Sequence, residues 1–200
     1  LFDVDEAMRH YETVYRNFIN SNFAIESLFR LAECHLVRGE IDQSAQRYKE
    51  LISSLRTPAY KERAEFALAK IDFYSGLTDT CYKRMQLLTK VLGGLYVNDA
   101  LSFILLIQES KSNAPFQRDL AKSDLLAEQR KYTEALRELK QINETMKESR
   151  LKEWVLMRIG TMHEQLGQYD EALRIFYQIF ESESQTIQGD LALKRAAEIY

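Results

Sequence analysis

LGQYDEALRIF, Leu166 to Phe176, sets a turn glycine and an acidic helix start before a small residue, Ala172, and an aromatic four places on, Phe176. The same order returns along the chain at a fixed interval. Small residues stand at Ala7, Ser44, Cys81, Ala135 and Ala172. Ser44 follows Ala7 by 37 residues, Cys81 follows Ser44 by 37, and Ala172 follows Ala135 by 37. A second series, Ala32, Ala69, Ser123, Gly160 and Ala197, leads the first by 12 wherever both members are present. Two interlocked series at one spacing predict a helix–turn–helix unit stacked on copies of itself, since one hairpin cannot cover its own apolar side.

Composition agrees. Hydrophobic residues make up 46% of the 200 positions, with only 7 glycines and 2 prolines, which suits long helices better than short strands. Net charge is −3, from 27 basic and 30 acidic residues spread along the chain. That balance builds no basic field for phosphates and argues against nucleic acid as a partner. The longest clean apolar run, LSFILLI from Leu101 to Ile107, is far shorter than the roughly 20 residues that span a bilayer, so no membrane insertion is expected. Cys34 and Cys81 each lie inside a helical pattern and read as small buried hydrophobes.

Apolar spacing of three and four predicts eleven helices, near 3–18, 22–38, 41–54, 59–75, 78–91, 97–110, 115–130, 132–146, 149–166, 169–182 and 186–200. Gly39, Gly76 and Gly167 each fall seven residues after the small residue of a first helix, where a left-handed backbone is cheap only for glycine. The fourth copy has Arg130 there, so its turn is expected to close differently. Asp42, Asp79 and Asp170 follow and favour the starts of the second helices. The register breaks once: Ala69 to Ser123 is 54 residues, one repeat plus 17. This predicts one helical-repeat sub-array over 1–92, an inserted helix and hinge over 93–114, and a second sub-array over 115–200. The first begins at a second helix and the last ends at a first helix, so the chain reads as a segment of a longer array.

In the copy from Trp154 to Phe180, Leu156, Ile159, Gly160 and His163 form the first-helix pattern. Tyr169, Ala172, Phe176 and Ile179 form the second. Leu28, Leu31, Ala32, Gly39, Ser44, Tyr48 and Leu51 repeat it. The copy at 65–88 departs, with Glu65 and Asp72 at usually apolar places; that at 119–142 has Asp119 and Lys122 where leucines are usual, yet keeps Tyr132, Ala135, Leu139 and Ile142. These residues resemble the tetratricopeptide repeat. The resemblance implies an all-α solenoid of antiparallel helix pairs, a TPR-like superhelix. Asn20 to Ile52 is also similar to variant repeats of bacterial cell-envelope proteins, which implies a bacterial setting, in the periplasm or the cytoplasm.

Ligand peptides of the family lie on the groove lined by first helices. Carrying its offsets across gives Glu26, Phe29, Glu33 and Leu36, then Arg63, Phe66, Lys70, Phe73 and Tyr74. The C-terminal half gives Gln117, Leu120 and Asp124, then Trp154, Met157 and Thr161. The aromatics either form an apolar strip for a partner segment or rotate into the core. Family members that clamp a terminal carboxylate use lysine, asparagine and arginine where this chain has Phe29, Glu33, Phe66 and Lys70, so that clamp is absent.

No HExxH, paired CxxC, phosphate loop or nucleophile elbow occurs, and His35 and His163 read as structural. No catalytic residue, metal or cofactor is expected. The reading is a non-enzymatic scaffold for a protein or peptide partner; its alternative is a structural spacer that self-associates through its terminal helices.

Overall fold

A helix-on-helix stack stands or falls on how closely the axes approach, and small residues decide that. A computed structural model describes residues 3–19, 21–54, 58–146, 149–182 and 186–199. Among these residues there are eleven helices and no strand: α1 (Val4–Asn17), α2 (Asn22–Val37), α3 (Ile41–Ser54), α4 (Pro58–Tyr74), α5 (Thr78–Leu88), α6 (Val97–Glu109), α7 (Ala114–Glu128), α8 (Tyr132–Thr145), α9 (Ser149–Gln165), α10 (Tyr169–Ser182) and α11 (Ile187–Ile199). The protein is all-α, a helical-repeat solenoid. The terminal Leu1 and Tyr200, between which the array was read, lie outside the described residues.

The chain forms two compact units, Leu1–Ile104 and Leu105–Tyr200, and the division falls within α6. In the first unit each helix from α1 to α5 packs on its chain neighbours, and in the second the same holds from α7 to α11, with α9 also touching α11. The predicted small residues sit at these contacts. Ala32, Ser44, Ala69, Cys81, Ala135 and Ala172 are all fully buried, and Ser123 nearly so. Ala7 is half-buried and Ala197 exposed, because α1 and α11 each have a neighbour on one side only. A Cβ added at Gly160 would stand 2.5 Å from Phe176 Cε1 and 3.0 Å from its Cδ1 and Cζ, so the α10 ring occupies the space a side chain would need.

Turns repeat as faithfully as the contacts. Gly39, Gly76 and Gly167 have φ of 81°, 76° and 71°, and Arg130 has φ 60°. In each turn the next N–H reaches a carbonyl five residues back: Glu40 to His35 and Leu77 to Asp72 at 2.8 Å, Lys131 to Leu126 and Gln168 to His163 at 2.9 Å. That is the Schellman closure. The expectation of a different turn at Arg130 is therefore corrected. The hydrogen bonds hold an arginine in the left-handed region, at a cost of about 1–2 kcal/mol relative to glycine.

α5 ends at Leu88, short of the predicted 91, because the backbone tightens into three-residue turns (Val91 N–H to Leu88 at 3.2 Å, Gly94 N–H to Val91 at 3.1 Å). Here Glu62 of α4 accepts the Leu95 N–H at 3.0 Å, and a Cβ at Gly94 would meet that carboxylate at 2.8 Å.

Candidate functional site on the first-helix faces

Glu26 and Arg63 stand 37 residues apart, at equivalent places on successive first helices, and carry opposite charges. The structure joins them. Arg63 of α4 donates to Glu26 at 2.8 Å and to Glu33 at 3.3 Å, both on α2, and its guanidinium lies 4.3 Å from the centre of the Phe29 ring. Arg30 closes the network, 3.0 Å from Glu26 and 2.8 Å from Glu33. Burial works to lower the Arg63 pKa, but the Glu26 hydrogen bond and the charges of Glu26 and Glu33 outweigh it, so the pKa is raised. The Arg30 pKa is raised chiefly by its hydrogen bond to Glu33. Each half-exposed pair contributes at most about 1 kcal/mol, and the cation–ring contact a comparable amount.

The aromatics divide. Phe29 is 1% exposed and packs against Tyr48 and Tyr60, each with ring centres at 6.1 Å; Phe73 is 2% exposed and meets Phe103 of α6 edge-on at 5.3 Å. Trp154 is buried as well. These three take the core alternative, together with Leu36 and Leu120, so the four-ring apolar strip is not an exposed surface. Phe66 is half-buried and stacks on Tyr96 at 4.9 Å; Lys70, Tyr74 and Met157 are also half-buried. The physical reason is helix rotation: residues three or four apart share a face, and neighbours on several sides cover most of it.

In the second unit the Trp154 indole donates to Glu109 at 2.7 Å. Arg158 grips Asp124 with two bonds, 2.6 and 3.0 Å, joining α9 to α7. Gln117 is taken up by Ser110 at 3.0 Å, and Thr161 bonds back to the Met157 carbonyl at 3.0 Å. Glu109, Arg150, Glu153 and Trp154 border a cleft of about 420 Å³ with Gln188 of α11.

Sequence reasoning missed Arg30, Arg84, Glu109, Arg158 and Gln188. Arg30 was visible as a charge four residues after Glu26 and three before Glu33. Arg84 answers the two apolar places that hold acids: it donates to Asp72 at 2.7 Å and to Glu65 at 2.8 Å. Lys122 similarly pairs with Glu138 at 2.9 Å.

His35 and His163 make equivalent contacts. His35 Nδ1 lies 2.6 Å from Glu40, and His163 Nδ1 lies 2.6 Å from Gln168, each partner being the residue after its turn glycine. They therefore fasten turns. Among the described residues no group of three or more His, Cys, Asp or Glu is placed to hold a metal ion, and no helix is long and apolar enough to cross a membrane.

No curated protein matches the chain at a significant level. The family model of the tetratricopeptide repeat matches residues 26–54, which carry the Glu26–Glu33 pair and the Gly39 turn, and residues 154–185, which carry the Gly160–Phe176 contact. With the repeated small residues and Schellman turns, these two matches support tetratricopeptide repeats at residues 26–54 and 154–185.

Proposed function

We propose that the chain is a non-enzymatic scaffold that holds a partner polypeptide, not nucleic acid, against its first helices. Repeats of this family are generally protein-interaction modules. One observation carries the placement: Glu26, Glu33 and Arg63, from two successive repeats, come together on one half-exposed seam between α2 and α4. A polar seam with Lys70 and Tyr74 along the same α4 helix suits a peptide read through charges and a few half-buried rings. Selection of a displayed random-peptide library tests this. A consensus whose affinity falls at least tenfold in the Lys70→Glu/Tyr74→Ala double variant is expected; unchanged affinity removes the seam from the reading.

A second reading, self-association as a structural spacer, has its own support. Phe18, Ile19 and Phe23 are exposed near the α1–α2 turn, and Ile187, Leu191 and Leu193 are exposed on α11. Light scattering over a concentration series separates the two, since a particle mass that stays monomeric rejects self-association.

A further inference from the structure

Gln188 on α11 is 4% exposed, and its Nε2 is both withdrawn from solvent and without a hydrogen-bond partner. Buried donors are rarely left so. It borders the cleft of about 420 Å³ between the ends of α6, α9 and α11. That volume falls within the usual range for ligand sites.

The other walls say what the missing acceptor belongs to. Glu109 spends Oε2 on the Trp154 indole at 2.7 Å. Glu153 is 9% exposed and accepts the Thr186 hydroxyl at 3.3 Å. Among the described residues that border the cleft, the cation set against these two carboxylates is Arg150, exposed at the rim. An anionic acceptor is disfavoured beside them, so the oxygen that Gln188 needs belongs to a neutral carbonyl. A cationic group answers the carboxylates, and the Trp154 ring offers it an aromatic surface. One residue type supplies both: a lysine or arginine, with its own backbone carbonyl.

We propose that this cleft takes a basic side chain of a polypeptide partner, with its cation between Glu109 and Glu153 and its peptide carbonyl on Gln188. Rotation about the last, soft torsion of Gln188 turns Nε2 toward that oxygen. The inference rests on the scaffold reading, because α9 and α11 are both first helices, and it gives that reading a partner chemistry.

Trp154 is the single tryptophan of the chain, so its emission reports on the cleft directly. Capped tripeptides with central arginine, lysine, norleucine or glutamate are titrated into the full chain. Saturable emission changes with the two basic peptides alone are expected, weakened at least tenfold in Glu153→Gln and in Gln188→Leu. Arg150→Ala, on the exposed rim, should tighten basic peptides about threefold and keeps the test alive if either buried variant fails to fold. No saturation with basic peptides, an equal response to norleucine, unaltered affinity in a folded Glu153→Gln or Gln188→Leu variant, or no tightening in Arg150→Ala overturns the proposal. Library-selected peptides that still bind when basic tripeptides do not would leave the scaffold reading standing and remove only this pocket; failure of both removes both.

Discussion

The hairpins α9–α10 and α4–α5 have the same turn and bury small residues at equivalent places, yet their surroundings differ. In the first, Phe176 is fully buried against Gly160, and Ala172 fills the small slot of α10. In the second, Glu65 and Asp72 replace apolar residues, Arg84 of α5 reaches back to both, and Cys81 fills the small slot. The second hairpin adds a charge network to its buried apolar residues, among them Leu68, Ile71 and Met85. A fold of stacked hairpins thus demands closeness of axes and leaves open which interaction supplies it.

The difference has measurable consequences. Arg84→Met should cost the most, about 2–4 kcal/mol in chemical denaturation, because it leaves Asp72 nearly buried without its cation. Restoring the apolar pattern in the triple variant Glu65→Leu/Asp72→Leu/Arg84→Met should recover most of that loss. A triple variant as unstable as the single one would mean that the charges do more than offset one another.

Gly160→Ala should cost about 1–3 kcal/mol through overpacking, less the roughly 1 kcal/mol that alanine contributes to a helix interior, for a net loss near 1 kcal/mol. A gain in melting temperature would show that Phe176 moves aside easily. Arg130→Gly should act in the opposite direction and stabilise by about 1 kcal/mol, since the left-handed backbone is retained and its strain removed. Unchanged or reduced stability would count against that strain.

The small slot gives the subtlest contrast. Burial, aided by Asp72, pushes the Cys81 thiol up to about 12, from an ordinary value of 9.0. The folded state therefore holds the neutral thiol. Its contribution is complete below pH 9 and declines as pH rises toward 12, because the unfolded thiol ionises first. Comparing melting temperatures of the native chain and Cys81→Ala between pH 8 and 10.5 isolates this effect from other titrations. The native chain should lose more across that range. At pH 8 the folded thiol should also resist a thiol-specific reagent.

Helix positions were readable to within about three residues, because apolar periodicity, turn glycines and small contact residues are all local signals. The proposed site was harder to read. Glu26, Glu33 and Arg63 meet in ion pairs between α2 and α4, whereas Phe29, Phe73 and Trp154, at equally suitable offsets, turn inward. A heptad-scale pattern tells which residues share a face but not how far the helix is rotated against several neighbours at once. Arg130 failed for a different reason: residue identity at a turn sets a preference of about 1–2 kcal/mol, and two backbone hydrogen bonds overrode it.

What spacing alone settled was the repeating hairpin, since small residues 37 positions apart on either side of one register break are a direct imprint of one helix axis lying close to the next. Tertiary packing decided the rest: which rings face the core, that Arg84 rescues two misplaced acids, and that Gln188 comes to border a cleft with Glu109, nearly eighty residues earlier. Those outcomes depend on side chains far apart in sequence meeting at specific distances, and no local period records such meetings.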